Sequence, residues 1–97
     1  MDGQDEPRWT FLTNHAHVLV CIAENPDLRG REIAELVGVS ERRVQGIIRD
    51  LVDAGYVSRS RDGRRNHYTI NLDGGLRHPL EDDHTVGELL AMLGRLP

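Results

Sequence analysis

The chain has 97 residues, of which 38% are hydrophobic, and its net charge is −4 at pH 7. A chain of this length buries only about 60 to 65% of its unfolded surface, so we expect one small core and no separate catalytic domain. The acidic total hides a local excess of positive charge: residues 29–65 hold nine arginines against six acids, while residues 1–28 and 66–97 carry −4 and −3.

The N-terminal part of the chain predicts a polar tail and then a buried helix. Residues 1–9 are polar and acidic and are expected to be disordered. Residues 14–24 are apolar on more than one side, which predicts a helix buried by two partners, and Asn25-Pro26 ends it. The single cysteine, Cys21, excludes an internal disulfide and favours a reducing, cytoplasmic location. We expect no signal peptide, because the first residues are polar and acidic, and no apolar run approaches the roughly 18 residues of a membrane helix.

Residues 29–54 have the pattern of two short helices joined by a tight turn. The turn is Gly38-Val39-Ser40, where glycine ends one helix in left-handed geometry and Ser40 caps the next. The helix over residues 40–54 has an apolar face and a polar face. The apolar residues are Val44, Ile47, Ile48 and Leu51, and the polar ones are Arg42, Arg43, Gln45 and Arg49. Arginine and glutamine bind guanine and adenine through paired hydrogen bonds, although a charged helix face often has no partner.

Residues 56–70 predict a β-hairpin with a positively charged tip. Asp62-Gly63 indicates the turn, and β-favouring residues flank it. Four arginines surround this turn: Arg59, Arg61, Arg64 and Arg65. A tip of this kind beside a helix-turn-helix suits a phosphate backbone or a minor groove, although hairpin tips also carry charge for solubility alone.

The segment GREIAELVGVSERRVQGIIRDLVDAGYVSRSRDGRRNHYTI resembles the DNA-binding core of winged helix-turn-helix regulators of the multiple-antibiotic-resistance (MarR) and arsenical-resistance (ArsR) repressor superfamily. The resemblance implies a mainly α fold with a small β-hairpin, in which a three-helix core is followed by the wing and a C-terminal helix. The DNA-binding domain would cover residues 10–72. The resemblance implies that the helix over residues 40–54 is the recognition helix and that residues 56–70 form the wing. It places Ser40, Arg42, Arg43, Gln45 and Arg49 in the DNA groove, and Arg61, Arg64 and Arg65 at the wing contacts.

Two positions depart from the pattern of these regulators. Arg29-Gly30 stands where many relatives have a Ser or Thr cap, so we expect a less firm start to that helix. Gly46 replaces a basic groove contact and lowers helix stability by roughly 1 kcal/mol relative to alanine. It either allows close approach to the DNA or is a tolerated substitution, and the sequence leaves both open.

The C-terminal part predicts a connector over residues 73–84 and a helix over residues 85–97. Thr85 and Glu88 form a capping box, and the apolar stripe that follows needs a partner surface. That surface is either the helix's own domain or a second chain. We favour a homodimer, because a two-fold pair of recognition helices reads two half-sites about one DNA turn apart. The predicted interface residues are Val18, Cys21, Val86, Leu89, Leu90, Leu93 and Leu96.

The sequence gives little support for a metal site or a catalytic site. His15, His17 and Cys21 lie on the first helix, and His17 and Cys21 are neighbours at i and i+4, but two ligands do not complete a metal shell. Glycine-rich phosphate loops and the motifs of hydrolases are absent. We therefore expect no catalytic residue, no metal site and no cofactor.

These patterns together predict a cytoplasmic, homodimeric regulator that binds double-stranded DNA at an inverted repeat. Repression is favoured over activation, because we expect no segment that recruits polymerase. One alternative is a winged-helix module that binds another protein through the arginines. The other is a metal-responsive or effector-responsive regulator, which needs a cavity between the first and last helices and whose effector is unknown.

Overall fold

The computed structural model describes residues 8–96. Its elements are α1 (Asn14–Glu24), α2 (Gly30–Val37), α3 (Glu41–Asp53), β1 (Val57–Asp62), β2 (Arg65–Ile70) and α4 (Val86–Met92). This is the mainly α fold with a small β-hairpin that the sequence predicts. The tail was predicted over residues 1–9, and residues 1–7 of it lie outside the described part of the chain.

Helices α1, α2 and α3 enclose a small aliphatic core. Val18, Ile22, Ile33, Ile47 and Ile48 are at most 2% exposed. Each fully buried isoleucine contributes roughly 1.5 to 3 kcal/mol to the free energy of unfolding, because its apolar surface is removed from water. The contacts come from all three helices, so this core fixes how α3 is rotated about its axis.

Short-range hydrogen bonds set the ends of α2 and α3. Glu32 accepts a hydrogen bond from the Arg29 backbone N–H at 2.9 Å, which supplies part of the cap that Arg29-Gly30 was expected to lack. Gly38 ends α2 with φ 86°, and Ser40 Oγ then accepts from the Arg43 N–H at 3.0 Å. The predicted turn and the predicted start of α3 are therefore confirmed.

Strands β1 and β2 form an antiparallel hairpin whose turn lies one residue later than the Asp62-Gly63 pair suggests. Asp62 pairs with Arg65, so the two turn residues are Gly63 and Arg64. Gly63 has φ 65°, a value that side chains disfavour. The N–H of Tyr68 donates to the carbonyl of Pro26 at 3.0 Å, which ties β2 to the loop after α1.

Helix α4 is shorter than the sequence predicts. It ends at Met92, whereas the apolar stripe suggested a helix as far as Leu96. Gly94 adopts φ 71°, and Arg95 N–H donates to the Leu90 carbonyl at 2.8 Å. This bond pattern closes a helix at a glycine, so Leu96 lies beyond the helix.

Helix α4 also packs on its own chain. Val86 and Leu90 are 1% and 0% exposed within a single chain, so they belong to the core and not to a surface between chains. Backbone N–H groups of Val86 and Gly87 donate to the carbonyls of Gly74 and Leu72, both at 2.9 Å. Val18 and Cys21, also predicted at the interface, are buried in the same core. None of the helices in residues 8–96 has both the length and the apolar character needed to cross a membrane.

Candidate nucleic-acid interface

The exposed face of α3 carries the predicted groove residues. Val44, Ile47 and Ile48 are at most 1% exposed and turn that side of the helix inward. The opposite side is therefore directed to solvent. All five predicted groove residues are exposed: Ser40, Arg42, Arg43, Gln45 and Arg49. The helix thus presents three guanidinium groups and an amide on a surface whose orientation the core determines.

Gln45 has a contact that the sequence did not reveal. Its amide lies against Gly30 at the start of α2, so closely that a side chain at Gly30 would displace Nε2 of Gln45 from this position. Glu41 Oε1 lies beside the same glycine. Gly30, which was expected only to weaken the start of α2, therefore leaves space for the Gln45 amide in this position.

The wing arginines do not all lie on one side of the hairpin. Arg59 pairs with Tyr68 and Arg61 pairs with Asn66, so both arginines share a face of the hairpin. Arg64 occupies the turn, and Arg65 lies on the opposite face because it pairs with Asp62. All four are exposed. The structure therefore groups Arg59 and Arg61 and separates Arg65 from them.

Arg65 and His67 hold the wing to the loop between α1 and α2. Arg65 Nη2 donates to the backbone carbonyl of Asp27 at 3.3 Å, and His67 Nδ1 lies 2.8 Å from the Asp27 carboxylate. Asp27 and His67 are far apart in the chain, so neither residue signals the contact in the sequence. Their contact places the hairpin next to the helical core.

The arginines of this surface are available to an external anion. Within residues 8–96, none of the seven arginines on α3 and the wing lies within ion-pair distance of a carboxylate. Asp50, an acid on α3, is instead paired with His15 of α1 at 2.8 Å. Guanidinium groups without carboxylate partners keep their donors for phosphates or base edges.

The His and Cys side chains of α1 are occupied by structural contacts. His17 Nδ1 lies 3.2 Å from the side-chain oxygen of Asn14. Cys21 is buried, and that burial raises the pKa of its thiol, which favours the protonated, less reactive form. The described residues contain no group of three or more potential ligands that could hold a metal ion.

A cleft of about 380 Å³ lies between α1, the end of α3, the connector and α4. Its walls are mainly apolar, with Phe11, Leu19 and Leu89 among them. His15, Arg77 and Glu81 also line it. The sequence showed no such convergence of polar groups, because these three residues come from separate segments of the chain.

Comparison with protein families identifies the group to which this architecture belongs. Residues 10–65 match the model of the MarR family, and this span is more than half of the chain. The chain belongs to the MarR family. MarR family proteins are transcription regulators and not enzymes, which agrees with the prediction of no catalytic activity. The matched family is the multiple-antibiotic-resistance part of the predicted superfamily, and the arsenical-resistance part stays a prediction.

A solved structure supports the same assignment. The chain is similar to a MarR family protein of Mycobacterium tuberculosis that was crystallised in complex with salicylic acid, with a TM-score of 0.52 and 28% sequence identity. The similarity covers 62% of this chain and 47% of the other, so this chain spans about half the length of that relative. A search of curated proteins finds no match.

Proposed function

We propose that this MarR family chain is a sequence-specific DNA-binding regulator. The observation that carries the proposal is the common exposure of the arginines on α3 and the wing, without carboxylate partners among the described residues. Arg42, Arg43 and Gln45 would read base edges, and Ser40 and Arg49 would contact phosphates.

The wing would contribute contacts beside the major groove. Arg59, Arg61 and Arg64 extend toward the tip of the hairpin and would bind the flanking backbone or the minor groove. Arg65 has one donor on Asp27, so its main role would be to set the position of the wing. A protein bound in this way blocks polymerase by occupying the DNA, which makes repression in the cytoplasm the favoured mode of action.

The regulator would act as a homodimer through an apolar surface beside α1. Val20, Leu36, Val37 and Leu93 line a groove there, and Leu36 is 66% exposed. Leu96, from the predicted interface, is 52% exposed and would extend this surface, whereas Leu89 lines the cleft between α1 and α4. A second copy on this surface would bury apolar side chains and pair two recognition helices for an inverted repeat.

Selection from a random duplex pool tests DNA recognition, and an inverted repeat among the selected sites is the expected result. Log affinity for the selected site should fall linearly with log salt concentration, as counterion release requires. Arg77→Ala is the matched control, because it removes one arginine outside the interface and should leave the affinity unchanged. Absence of enrichment, or affinity that does not change with salt, would instead favour a module that binds protein.

Sedimentation of an interface variant tests the dimer. Leu36→Asp should shift the protein to the monomer, whereas Leu80→Asp, at a leucine that is 87% exposed elsewhere, should not. Dimers that persist in Leu36→Asp would place the interface on another surface.

The cleft between α1 and α4 supports a second proposal, regulation by a small apolar acid. A volume of 380 Å³ falls in the range of ligand sites, and Arg77 supplies a positive charge for a carboxylate. The relative crystallised with salicylic acid makes this compound the natural first probe. Calorimetry should show binding that weakens at least several-fold in Arg77→Ala, and equal binding by both proteins would exclude this cleft.

A further inference from the structure

Gly46 occupies the middle of the exposed face of α3. It follows Arg42 by one helical turn and precedes Arg49 by nearly one turn, so the three residues share that face. Asp53 lies farther along the same side. A glycine at this place leaves a gap in the row of side chains that is directed away from the core.

The fold does not require this glycine. Gly46 is helical and has none of the positive φ values found at Gly38, Gly55, Gly63 and Gly94. A Cβ built at Gly46 would meet no atom of the described chain within 4 Å, whereas one at Gly87 would lie 2.9 Å from the Leu72 carbonyl oxygen. Glycine is also a poor residue for a helix interior. The missing side chain therefore weakens α3 and relieves no crowding among residues 8–96.

The gap forms a shallow depression with a polar rim. Ser40, Arg42 and Arg43 line it together with Gly46. Ser40 Oγ accepts from the Arg43 N–H, so the hydroxyl proton stays free to donate. Hydrogen-bond donors thus surround a floor made of bare backbone, and a flat group that carries acceptors would fit against it.

We propose that Gly46 is a specificity-determining residue, which lets α3 sit directly on base edges in the major groove. This inference rests on the proposed DNA-binding function. Bases are the better fit than phosphates, because Gly46 lies in the second turn of α3, and the N-terminal part of a recognition helix contacts the base edges of the major groove. Arg42 and Arg49 would then reach the DNA on either side of the base pair that fills the depression.

A series of substitutions with increasing side-chain volume tests the proposal. Gly46→Ala, Gly46→Ser and Gly46→Val are compared with the wild type on the duplex selected by the wild-type protein and on a random duplex of equal length. We expect affinity for the selected duplex to fall progressively, by about tenfold or more for valine, which matches the loss of one good base contact. Affinity for the random duplex should stay within about twofold, because phosphate contacts supply it.

Two controls separate this effect from a loss of folding. Gly46→Ala should raise Tm by about 4 °C or more, because alanine favours the helix and no contact opposes it. Ala91→Val adds volume at an exposed position of α4, outside the interface, and should leave both affinities unchanged.

The outcomes distinguish this inference from the function on which it rests. If the wild type binds no duplex, the proposed function fails and the inference fails with it. If the wild type binds and Gly46→Val keeps the wild-type affinity for the selected duplex, only the inference is overturned. Equal losses on both duplexes also overturn it, because they would place the sugar-phosphate backbone in the depression.

Discussion

Gly87 holds α4 close to the segment that leaves the hairpin, and Gly87→Ala tests that packing. A Cβ at this position would lie 2.9 Å from the carbonyl oxygen of Leu72 and 3.2 Å from its Cβ. The Gly87 N–H donates to the same carbonyl at 2.9 Å. Alanine therefore forces α4 away from Leu72 and lengthens this hydrogen bond.

The expected loss of stability follows from two opposing effects. Overpacking against a backbone atom costs about 2 to 3 kcal/mol, in the upper part of the usual range. Alanine regains about 1 kcal/mol through its higher helix propensity. The free energy of unfolding should therefore fall by about 1 to 2 kcal/mol, and Tm by about 5 to 10 °C for a chain of this size.

Thermal unfolding followed by circular dichroism at one protein concentration measures this difference. Gly46→Ala is the matched control, because it makes the same substitution in a helix where a Cβ meets nothing. Its Tm should rise while that of Gly87→Ala falls. A Tm for Gly87→Ala at or above that of the wild type would show that α4 does not lie against Leu72 in solution.

Three further predictions concern the interface and a charged pair outside it. Arg43→Ala should lower affinity for the selected duplex by about 1 to 3 kcal/mol and relax base choice. Arg64→Ala should lower affinity for all duplexes alike and reduce the slope of log affinity against log salt by about one. Titration over a salt series measures both effects. Ser40→Ala should reduce the free energy of unfolding by about 1 kcal/mol, because the N-cap of α3 is lost. Ser40→Asp should restore this stability but weaken DNA binding. A Ser40→Ala variant as stable as the wild type in denaturant titration would contradict the capping role. The hydrogen bond to Glu88 raises the pKa of His84, and the same contact lowers the pKa of Glu88. The pair therefore stabilises the fold fully between pH 4.5 and 6.5. This stabilisation is lost as pH rises through the His84 pKa or falls through the Glu88 pKa. An NMR titration should therefore give a lower His84 pKa in Glu88→Gln than in the wild type.

Local patterns in the sequence predicted the three core helices and the hairpin well. Helix α1 has the predicted bounds, and Ser40 caps α3 as expected. These features depend on residues within a few positions of each other, because helical periodicity and capping hydrogen bonds are short-range. The end of α4 also has a local cause, because glycine commonly ends helices and Gly94 adopts φ 71°, although the leucine stripe continues beyond it.

The candidate site was predicted only in part. The alternation of the strands, once the register is known, separates Arg65 from Arg59 and Arg61. The register depends on the position of the turn, which the sequence placed one residue too early. The contact between Gly30 and Gln45 depends on how α2 crosses α3, and no pattern within either helix reports that crossing.

The sequence by itself determined where the chain forms helices and strands and which side of α3 is charged, because these properties depend on neighbouring residues. The tertiary structure alone decided that α4 folds back on its own chain, that Asp27 anchors the wing, and that His15, Arg77 and Glu81 meet around a cleft. Each of these contacts joins segments that are distant in the chain. Their geometry is set by how the whole core packs, and no local sequence pattern indicates which distant side chain each of these residues contacts.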